Sequence, residues 1–483
     1  MDAARRRARS RKIELKAADE LHYATLLEVS ARLRAHVLSP IELVRATLDR
    51  IERLNPRLGA YYTVFAEEAM ADARRAEAEI IAGRGGPLCG IPIAFKDMFE
   101  LGPTTAGSRL LADHVAAREA VLVGRARTAG AVIVGKLATH EFALAAATLS
   151  DHFPPARNPW DPARTPGGSS TGAGTAVSTG MAFGAFGTDT GGSVRLPAAH
   201  CGVVGYKPTF GLLSRTGVIP LSPSLDHAGP LARSVADAAA LFLAVCGYDR
   251  DDPSSSVRQA ALAPGSLDRD LRGLRVAVPR DFWEPTCEPV VRERIEAAIV
   301  CLRDVGATVS EVRLGLSLVQ VMATGYVITL PEAAAYHLAD LRDHSDAFGP
   351  EFGLVLRSGL LVPAEGYANA LRARAAIEGR VDGVLAGHDL LAMPTVGALA
   401  DQLPQGPRPL SRRITDQPAP QYTWLANLHG GPAVSVPCGR SSEGLQVGLM
   451  LAGRRFDDAT VLRAAHGYEE VAGWRDEHPP LFP

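Results

Sequence analysis

The sequence predicts an α/β fold in which helices cover a central sheet. Two observations carry this prediction. Apolar runs of about four to eight residues, typical of strands, alternate along the chain with longer amphipathic runs, typical of helices. No internal repeat interrupts that alternation. By length alone, 483 residues would make about three domains. The strand candidates are residues 90–96, 131–134, 274–278, 307–312, 390–393, 433–436 and 445–451.

The composition is typical of a soluble globular protein, with 47% hydrophobic and 22% charged residues. A formal net charge of -2 provides no general attraction to nucleic acid or to an anionic membrane. No run reaches the roughly 18 apolar residues that a membrane span needs. The six cysteines form no C-x-x-C pair, which argues against a zinc site or a disulfide framework and favours a reducing compartment. We therefore expect a cytoplasmic protein with no metal, cofactor, nucleic-acid or membrane partner.

Helical periodicity opens the fold. The segment Ser39-Pro40-Ile41-Glu42 is a capping box with proline at the first helical position, and it begins a second helix. That second helix is expected to stop at Asn55-Pro56. The first helix is expected to bury one face, formed by Leu26, Leu27, Leu33 and Val37.

Residues 165–207 are the most unusual stretch of the chain, because they consist largely of Gly, Ala, Ser and Thr. Glycine at this density is unfavourable within helices and strands and suits backbone that must approach another group closely. Two Gly-Gly-Ser steps, at residues 167–169 and 191–193, are typical of tight turns that hold a serine hydroxyl beside bare backbone N–H groups. Paired turns of this kind suit a serine nucleophile and an oxyanion hole.

Lys96 ends the apolar run of residues 90–96, so it lies at the carboxyl end of a predicted strand, where α/β folds build their sites. The usual account of such a lysine is a solvent-facing charge that ends the strand. Here Phe95, Met98 and Phe99 surround it with apolar side chains, which would remove water from the ammonium and lower its pKa. Lys96 is therefore a candidate catalytic base.

Two windows imitate other catalytic motifs but fail on their context. Residues 130–137 approach a P-loop, but Leu137 replaces the hydroxyl that would bind Mg²⁺, and the residues between the glycines form an apolar strand. Residues 168–172 satisfy the nucleophile elbow G-x-S-x-G, which needs a preceding strand, whereas residues 159–166 have loop character. Neither ATP binding nor an α/β-hydrolase triad is expected.

Several windows taken together resemble the amidase signature family. The likeness covers nearly the whole chain and is weakest over about 315–420. It implies one large domain, in which α-helices cover both faces of a central mixed β-sheet. The windows that carry it are residues 39–56, 90–98, 165–172, 187–199, 201–210, 427–440 and 453–463.

The resemblance replaces the domain count that length alone suggests. It implies a single domain over residues 21–483, with a catalytic core at about 85–235 and a variable, substrate-side helical segment at about 315–420. The arginine-rich residues 1–20 are expected to form a flexible tail, and an organelle transit peptide is the other interpretation.

Each member of the family's Ser–Ser–Lys triad has a match in this chain. The resemblance places the nucleophile at Ser193, the base at Lys96, and the bridging serine, which follows a cis peptide bond in the family, at Ser169. A serine is a weak nucleophile until a base takes its proton, and a lysine can be that base only when it is neutral. The resemblance also implies an oxyanion hole formed by the backbone N–H groups of Thr190, Gly191, Gly192 and Ser193.

Supporting residues keep two interpretations each. Asp189 and Arg195 flank the nucleophile and are expected to brace its loop rather than to contact substrate. Ser170 could form a hydrogen bond within its turn or help the proton relay, and the first is favoured. The side chains expected to line the substrate pocket are apolar, which suits an aryl or acyl group; they are Met98, Phe99, Leu144, Ile219 and Leu221.

The chain departs from the family pattern at two places. The family usually has glycine where Thr171 stands, so the turn after Ser170 is expected to differ. The loop at residues 100–104 is shorter than is common, which would widen the mouth of the site. Neither departure touches the triad.

These residues predict a stand-alone amidohydrolase, a monomer or homodimer, that cleaves the C–N bond of a small, largely uncharged carboxamide or anilide through an acyl-enzyme on Ser193. Esters and carbamates, including urethanes, undergo the same acyl chemistry. The first alternative is the glutaminase subunit of a tRNA-dependent amidotransferase, a branch that tends to have glutamine where this chain has His227. The second alternative is a catalytically silent binding protein that keeps the fold.

Overall fold

The computed structural model places a predicted single domain on one continuous sheet. The predicted tail at residues 1–20 and most of the predicted pocket loop at residues 144–153 lie outside the described residues. The structure describes residues 21–144, 153–258, 260, 262, 266–267, 270–403 and 419–480.

Strands and helices alternate along the described chain, as expected for an α/β protein. The strands are β1 (Tyr61–Val64), β2 (Pro92–Lys96), β3 (Val132–Leu137), β4 (Gly184–Asp189), β5 (Val204–Lys207), β6 (His227–Ala232), β7 (Arg275–Val278), β8 (Thr308–Glu311), β9 (Leu390–Pro394), β10 (Ala433–Arg440) and β11 (Gln446–Gly453). The α-helices are α1 (Leu26–Arg34), α2 (Pro40–Leu58), α3 (Ala66–Ile81), α4 (Val121–Thr128), α5 (Thr171–Ser178), α6 (Arg195–Cys201), α7 (Val235–Val245), α8 (Arg280–Trp283), α9 (Pro289–Asp304), α10 (Leu318–Tyr336), α11 (Leu338–Asp343), α12 (Pro350–Leu360), α13 (Ala364–Gly387), α14 (Trp424–His429) and α15 (Asp458–Ala472).

The eleven strands form one mixed sheet in the order β1-β3-β2-β4-β6-β5-β10-β11-β9-β7-β8. Strand β2 runs parallel to both of its neighbours, β3 and β4. Strand β7 runs parallel to β8 and β9, and the remaining pairs are antiparallel. The sheet therefore confirms the mixed topology expected from the sequence, and its strands come from both halves of the chain.

Two hydrophobic cores cover opposite faces of the sheet. Successive side chains of a strand point to opposite faces, and both β2 and β4 follow that rule. Phe95 and Phe186 join the main core, where their rings stack with centroids 5.1 Å apart. Their neighbours Ala94 and Ala185 join a second core that includes residues of α2. Helices on both faces are what the resemblance implies.

The first helix buries a narrower face than the sequence predicts. Leu26 and Leu33 are almost fully buried, but Leu27 is 39% exposed and Val37 is 54% exposed. The helix ends at Arg34, so Val37 lies beyond it. Consecutive helical residues differ by about 100° around the axis, so Leu27 lies off the face of Leu26.

The second helix begins at its predicted capping box but does not stop where predicted. Pro56 lies inside α2, which continues to Leu58. A proline lacks the N–H that bonds one turn back, but here less than one further turn follows it. The helix closes where Gly59 adopts a left-handed conformation and its N–H donates to the carbonyl oxygen of Asn55 at 2.8 Å.

One helix within the described chain, α10, is long and apolar enough to cross a membrane by length and composition. Its sequence window is 44% buried inside the fold. Val321, Gly325 and Ile328 lie on its buried face. This pattern is that of a helix packed into a hydrophobic core.

Candidate active site

The site lies where the parallel strands β2 and β4 end beside each other. Phe95 of β2 pairs with Phe186 of β4, so Lys96 and Asp189, the last residues of these strands, reach the same edge of the sheet. The Gly-rich residues 190–193 follow β4 directly and lead into α6. Carboxyl ends of parallel strands are where α/β folds place their sites, and the predicted position of Lys96 at such an end is correct.

Lys96 is fully buried and its amine faces hydroxyl groups. Its Nζ donates to Oγ of Ser169 at 2.7 Å and to Oγ1 of Thr188 at 2.7 Å. Burial lowers the pKa of Lys96 to about 7, although the negative charges of Asp189 and Asp226 oppose that shift. A substantial fraction of the amine is therefore neutral near neutral pH, as a base requires.

Ser169 is held in a turn of unusual backbone geometry. The peptide bond between Gly168 and Ser169 is cis, as the resemblance implies. A side chain at position 168 would collide with the ring of His140, since a Cβ there would lie 2.3 Å from Cε1. The backbone N–H of His140 donates to the carbonyl oxygen of Ser169 at 3.2 Å. The chain after β3 thus packs directly against the bridging serine.

Ser193 is half-buried, unlike Lys96 and Ser169, so its hydroxyl is the most accessible of the three. Its carbonyl oxygen accepts a hydrogen bond from the N–H of Ser170 at 3.2 Å. The Ser170 hydroxyl in turn donates to the carbonyl oxygen of Thr188 at 3.2 Å. These bonds join the two Gly-Gly-Ser turns, and they place the Ser170 hydroxyl within the turn structure that the sequence favours for it.

Asp189 and Arg195 form a fully buried ion pair beneath the turn of Ser193. Nη2 and Nε of Arg195 lie 2.8 Å and 3.0 Å from the two carboxylate oxygens. The same carboxylate accepts from the backbone N–H of Val194 at 3.1 Å. Burial acts to raise the pKa of Asp189, but the charge and hydrogen bonds of Arg195 and the amide of Asn427 outweigh it and hold that pKa well below its usual range. Both residues brace the turn from inside.

The turn of Gly191 and Gly192 is pressed from outside by the start of α14. Oγ1 of Thr423 donates to the carbonyl oxygen of Gly191 at 2.6 Å. A Cβ on Gly191 would lie 2.4 Å from Cζ2 of Trp424, and one on Gly192 would lie 2.2 Å from Oγ1 of Thr423. Within the described chain, the backbone N–H groups of Gly191, Gly192 and Ser193 donate to no protein acceptor. They are available to a substrate oxygen.

The predicted pocket residues do not all meet. Met98, Ile219 and Leu221 are buried in one apolar cluster, against which Leu144 also packs. That cluster includes Phe352 and other residues of the helical segment predicted to lie on the substrate side. Phe99 instead packs in the main core, with its ring 5.3 Å from that of Phe95. Contact with substrate stays a prediction for all five.

Three side chains that hold the site were not singled out from the sequence: Thr188, Thr423 and Asn427. Thr188 lies five residues before Ser193, in a recognised window, but only the pairing of β2 with β4 brings its hydroxyl to Lys96. The Asn427 amide donates to Asp189 at 2.9 Å across 238 residues of chain. No local sequence pattern indicates a contact over that separation.

The two rejected motifs are confirmed as structural segments. Residues of the apparent P-loop form β3, and Lys136 is buried in an ion pair with Oδ1 of Asp97 at 2.9 Å. No strand precedes residues 168–172 within the described residues 153–167. The one group of potential metal ligands found in the described chain, His466, Glu469 and Glu470, lies on α15. Glu469 already accepts from the N–H of Val235 at 3.0 Å.

Comparison with known proteins gives consistent results. A protein-family model described as Amidase matches residues 42–462. A glutamyl-tRNA(Gln) amidotransferase subunit of Desulfatibacillum aliphaticivorans is 37% identical over 95% of this chain and 100% of that protein. The crystal structure of the same subunit from Thermotoga maritima superposes with a TM-score of 0.78 at 33% identity, covering 95% of this chain and 96% of that one. A bacterial aryl acylamidase of the amidase signature enzymes superposes with a TM-score of 0.85 at 25% identity, covering 94% and 97%.

Proposed function

Because the chain belongs to the amidase signature family, we propose that it hydrolyses a carboxamide C–N bond through an acyl-enzyme on Ser193. The observation that carries this proposal is the contact of a fully buried Lys96 with the Ser169 hydroxyl at 2.7 Å. Within the described chain, Lys96 forms no ion pair with a carboxylate, whereas the equally buried Lys136 does. A lysine with hydroxyl partners alone can lose its proton and act as a base.

The proposed reaction uses the triad in sequence. Neutral Lys96 accepts a proton from Ser169, and Ser169 takes one from Ser193 as the Ser193 oxygen attacks the carbonyl carbon. The free N–H groups of residues 191–193 stabilise the oxyanion, each such donor contributing about 2.7–4 kcal/mol in comparable sites. The proton returns through Ser169 to the leaving amine, and water then releases the acid and regenerates Ser193.

The relatives favour glutamine as the amide. The curated proteins that match over nearly their whole length are this same subunit of glutamyl-tRNA(Gln) amidotransferases, at 35–39% identity. A chain of this kind would release ammonia from glutamine and would work with partner subunits. In that case the expected lack of a nucleic-acid partner would hold for this chain alone and not for its assembly.

A stand-alone amidohydrolase is the second candidate, and the apolar cluster of Met98, Ile219 and Leu221 favours it. Such walls suit a neutral aryl or acyl group better than the charged ends of glutamine. His227, which stands where glutamine is usual in the first branch, lies on β6 opposite Asp189 and is buried. It belongs to the packing behind the nucleophile turn.

One hydrolysis panel separates the candidates. The purified chain is offered glutamine, a neutral primary amide, an anilide, an ester and a carbamate, beside its Ser193→Ala variant. Glutamine hydrolysis that appears only with copurified partner subunits supports the amidotransferase candidate. Hydrolysis of anilides by the chain alone supports the stand-alone enzyme. Lack of turnover together with no reaction of Ser193 with a fluorophosphonate would support a silent binding protein and overturn the proposal.

The setting of this activity follows from the cysteines and the absence of any cofactor from the proposed steps. All six cysteines are unpaired thiols, as expected in a reducing compartment such as the cytoplasm. The scheme routes every proton through side chains of this chain, so chelators are expected to leave the rate unchanged. A rate that depends on added metal ions would contradict the scheme.

A further inference from the structure

The turn that follows β3, residues 140–143, contacts three separate parts of the molecule. His140 packs against the cis peptide that precedes Ser169. Glu141 reaches the start of α12, and Phe142 packs among aromatic rings of the helical segment. The proposed reaction assigns no role to these residues, although they lie between the bridging serine and the variable helices.

Glu141 is a buried carboxylate whose partners come from both sides. Its Oε1 accepts from the hydroxyl of Ser108 at 2.6 Å, and both of its oxygens lie 3.0 Å from the backbone nitrogen of Gly349. Gly349 immediately precedes α12, whose first turn has N–H groups to satisfy. A Cβ on Gly349 would lie 2.4 Å from Oε2 of Glu141. The carboxylate therefore approaches closely only because residue 349 is glycine.

The backbone of this turn is in an unfavourable conformation. Phe142 and Ala143 have φ values of 44° and 61°, in the left-handed region that residues with side chains rarely adopt. Such a conformation persists only when its surroundings hold it. Here the Phe142 ring lies 4.3 Å from that of His337 and 5.1 Å from that of Phe352, measured between centroids. The helical segment thus supplies contacts that hold the turn.

The turn connects to both members of the proposed proton relay. The N–H of His140 donates to the carbonyl oxygen of Ser169 at 3.2 Å. The N–H of Phe142 donates to Ala106 at 2.8 Å, and the N–H of Ala106 donates to the carbonyl oxygen of Asp97 at 3.0 Å, next to Lys96. A shift of this turn would move Ser169 directly and the Lys96 strand end through one intermediate.

We propose that Glu141 is a positioning residue that holds Ser169 and Lys96 in register for proton transfer by fixing the 140–143 turn to Gly349 at the start of α12. This inference rests on the proposed function. If Glu141 only capped a helix, its loss would lower stability without changing the intrinsic reactivity of Ser193. If it positions the relay, loss of its contact with Gly349 slows the activation of Ser193 in the folded protein.

The test measures the second-order rate at which a small fluorophosphonate labels Ser193. In that reaction the Ser193 oxygen bonds to phosphorus, fluoride leaves, and the hydroxyl proton passes through Ser169 to Lys96. Gly349→Ala directs a methyl group at Glu141 and is expected to slow labelling about tenfold or more, since misplacements of about 1 Å can cost two orders of magnitude. Gly379→Ala, the same change in α13 with no atom within 4 Å of the new Cβ, is the control and is expected to label at the wild-type rate.

A double-mutant cycle assigns the effect to the contact. Glu141→Ala and Gly349→Ala act on one interaction, so the double variant is expected to label no more slowly than the slower single variant. Thermal unfolding of each protein confirms that the folded form is compared. Wild-type rates in Gly349→Ala, equal slowing in Gly379→Ala, or additive losses in the double variant would overturn the inference while Ser193 chemistry stands. A wild-type protein that is not labelled at Ser193 would overturn the proposed function and, with it, the inference.

Discussion

At the scale of single residues, the partner of a buried lysine decides its chemistry. Lys96, Lys136 and Lys207 are all fully buried. Lys136 has the carboxylate of Asp97, and Lys207 donates to the backbone carbonyl of Gly431 at 2.5 Å. Only Lys96 contacts a serine hydroxyl, at 2.7 Å. Burial lowers the pKa of both Lys96 and Lys207 to about 7, so the hydroxyl contact and not burial alone distinguishes the base.

The lowered pKa of Lys96 predicts the pH dependence of the reaction. The amine is a base only when deprotonated, so kcat/KM for a neutral amide is expected to rise with pH, reach half of its plateau near pH 7, and stay level above about pH 8. A pH–rate profile from about pH 5.5 to about pH 9.5 checks this. A midpoint near 10, the ordinary value for lysine, would show that Lys96 is not the base.

The same shift also predicts a change in stability with pH. Between about pH 7 and about pH 10.5 the unfolded chain binds a proton at Lys96 that the native protein does not, so the free energy of unfolding should rise with pH across this window. Lys96→Met removes the titrating group and should flatten that part of the curve. Urea unfolding of both proteins at several pH values measures the difference. Parallel curves would contradict the lowered pKa.

The buried ion pair of Asp189 and Arg195 predicts a large loss of stability when it is broken. Asp189→Asn leaves the Arg195 charge uncompensated and should lower the free energy of unfolding by about 3–5 kcal/mol. Asp161→Asn makes the same change in a partly exposed pair with Arg164 and should cost about 1 kcal/mol or less. Urea unfolding compares the two. Equal losses would show that the buried pair does not brace the turn.

The sequence predicted the triad because each member lies in a distinctive local window, and the resemblance spans all three. It did not indicate Thr423 or Asn427, because their contacts with Gly191 and Asp189 cross more than 230 residues. Phe99 was expected beside Met98 in the pocket, but adjacent residues can point into different cores, and Phe99 packs with Phe95. Local patterns identify reactive groups more readily than the residues that hold them.

At the scale of elements, the site is a pair of glycine turns compressed between β4 and α14. The braces of Asp189 lie inside the nucleophile turn, and Thr423 and Trp424 close on it from the other side. The glycines of this turn are thus required by neighbours as well as by substrate. Sequence patterns found the turns but not the helix that presses on them.

This packing predicts that Gly191 tolerates no side chain. Gly191→Ala would force Trp424 or the turn to move and displace the oxyanion donors, so kcat/KM is expected to fall about a hundredfold or more. Gly124→Ala, in α4 with no atom within 4 Å of the new Cβ, is the matched control and should keep wild-type activity. Steady-state kinetics with circular dichroism separates loss of activity from loss of fold. Wild-type activity in Gly191→Ala would contradict this arrangement.

Helix positions were predicted better than helix ends and faces. The capping box starts α2 where expected because its hydrogen bonds are local. The end was misplaced because Pro56 is accommodated in the last turn, and the face of α1 was misassigned because Val37 lies past the helix. These details depend on what each element packs against.

At the scale of the whole molecule, one sheet unites residues that the sequence separates widely. β10 pairs with β5, which joins the C-terminal strands to the catalytic core. The single domain stays the interpretation that the resemblance implies, and the continuous sheet is consistent with it. The substrate was not predictable in the same way, because the helices over the apolar cluster come from the least patterned part of the chain.

The most direct test of the whole account is to trap the acyl-enzyme. The substrate that the hydrolysis panel shows to be fastest is mixed with the chain and quenched in acid during turnover, and peptide mass spectrometry locates the added acyl group. The account predicts that group on Ser193, at much lower occupancy in Lys96→Met, with no turnover in Ser193→Ala. An acyl group on any other residue, or turnover by Ser193→Ala at the wild-type rate, would contradict it.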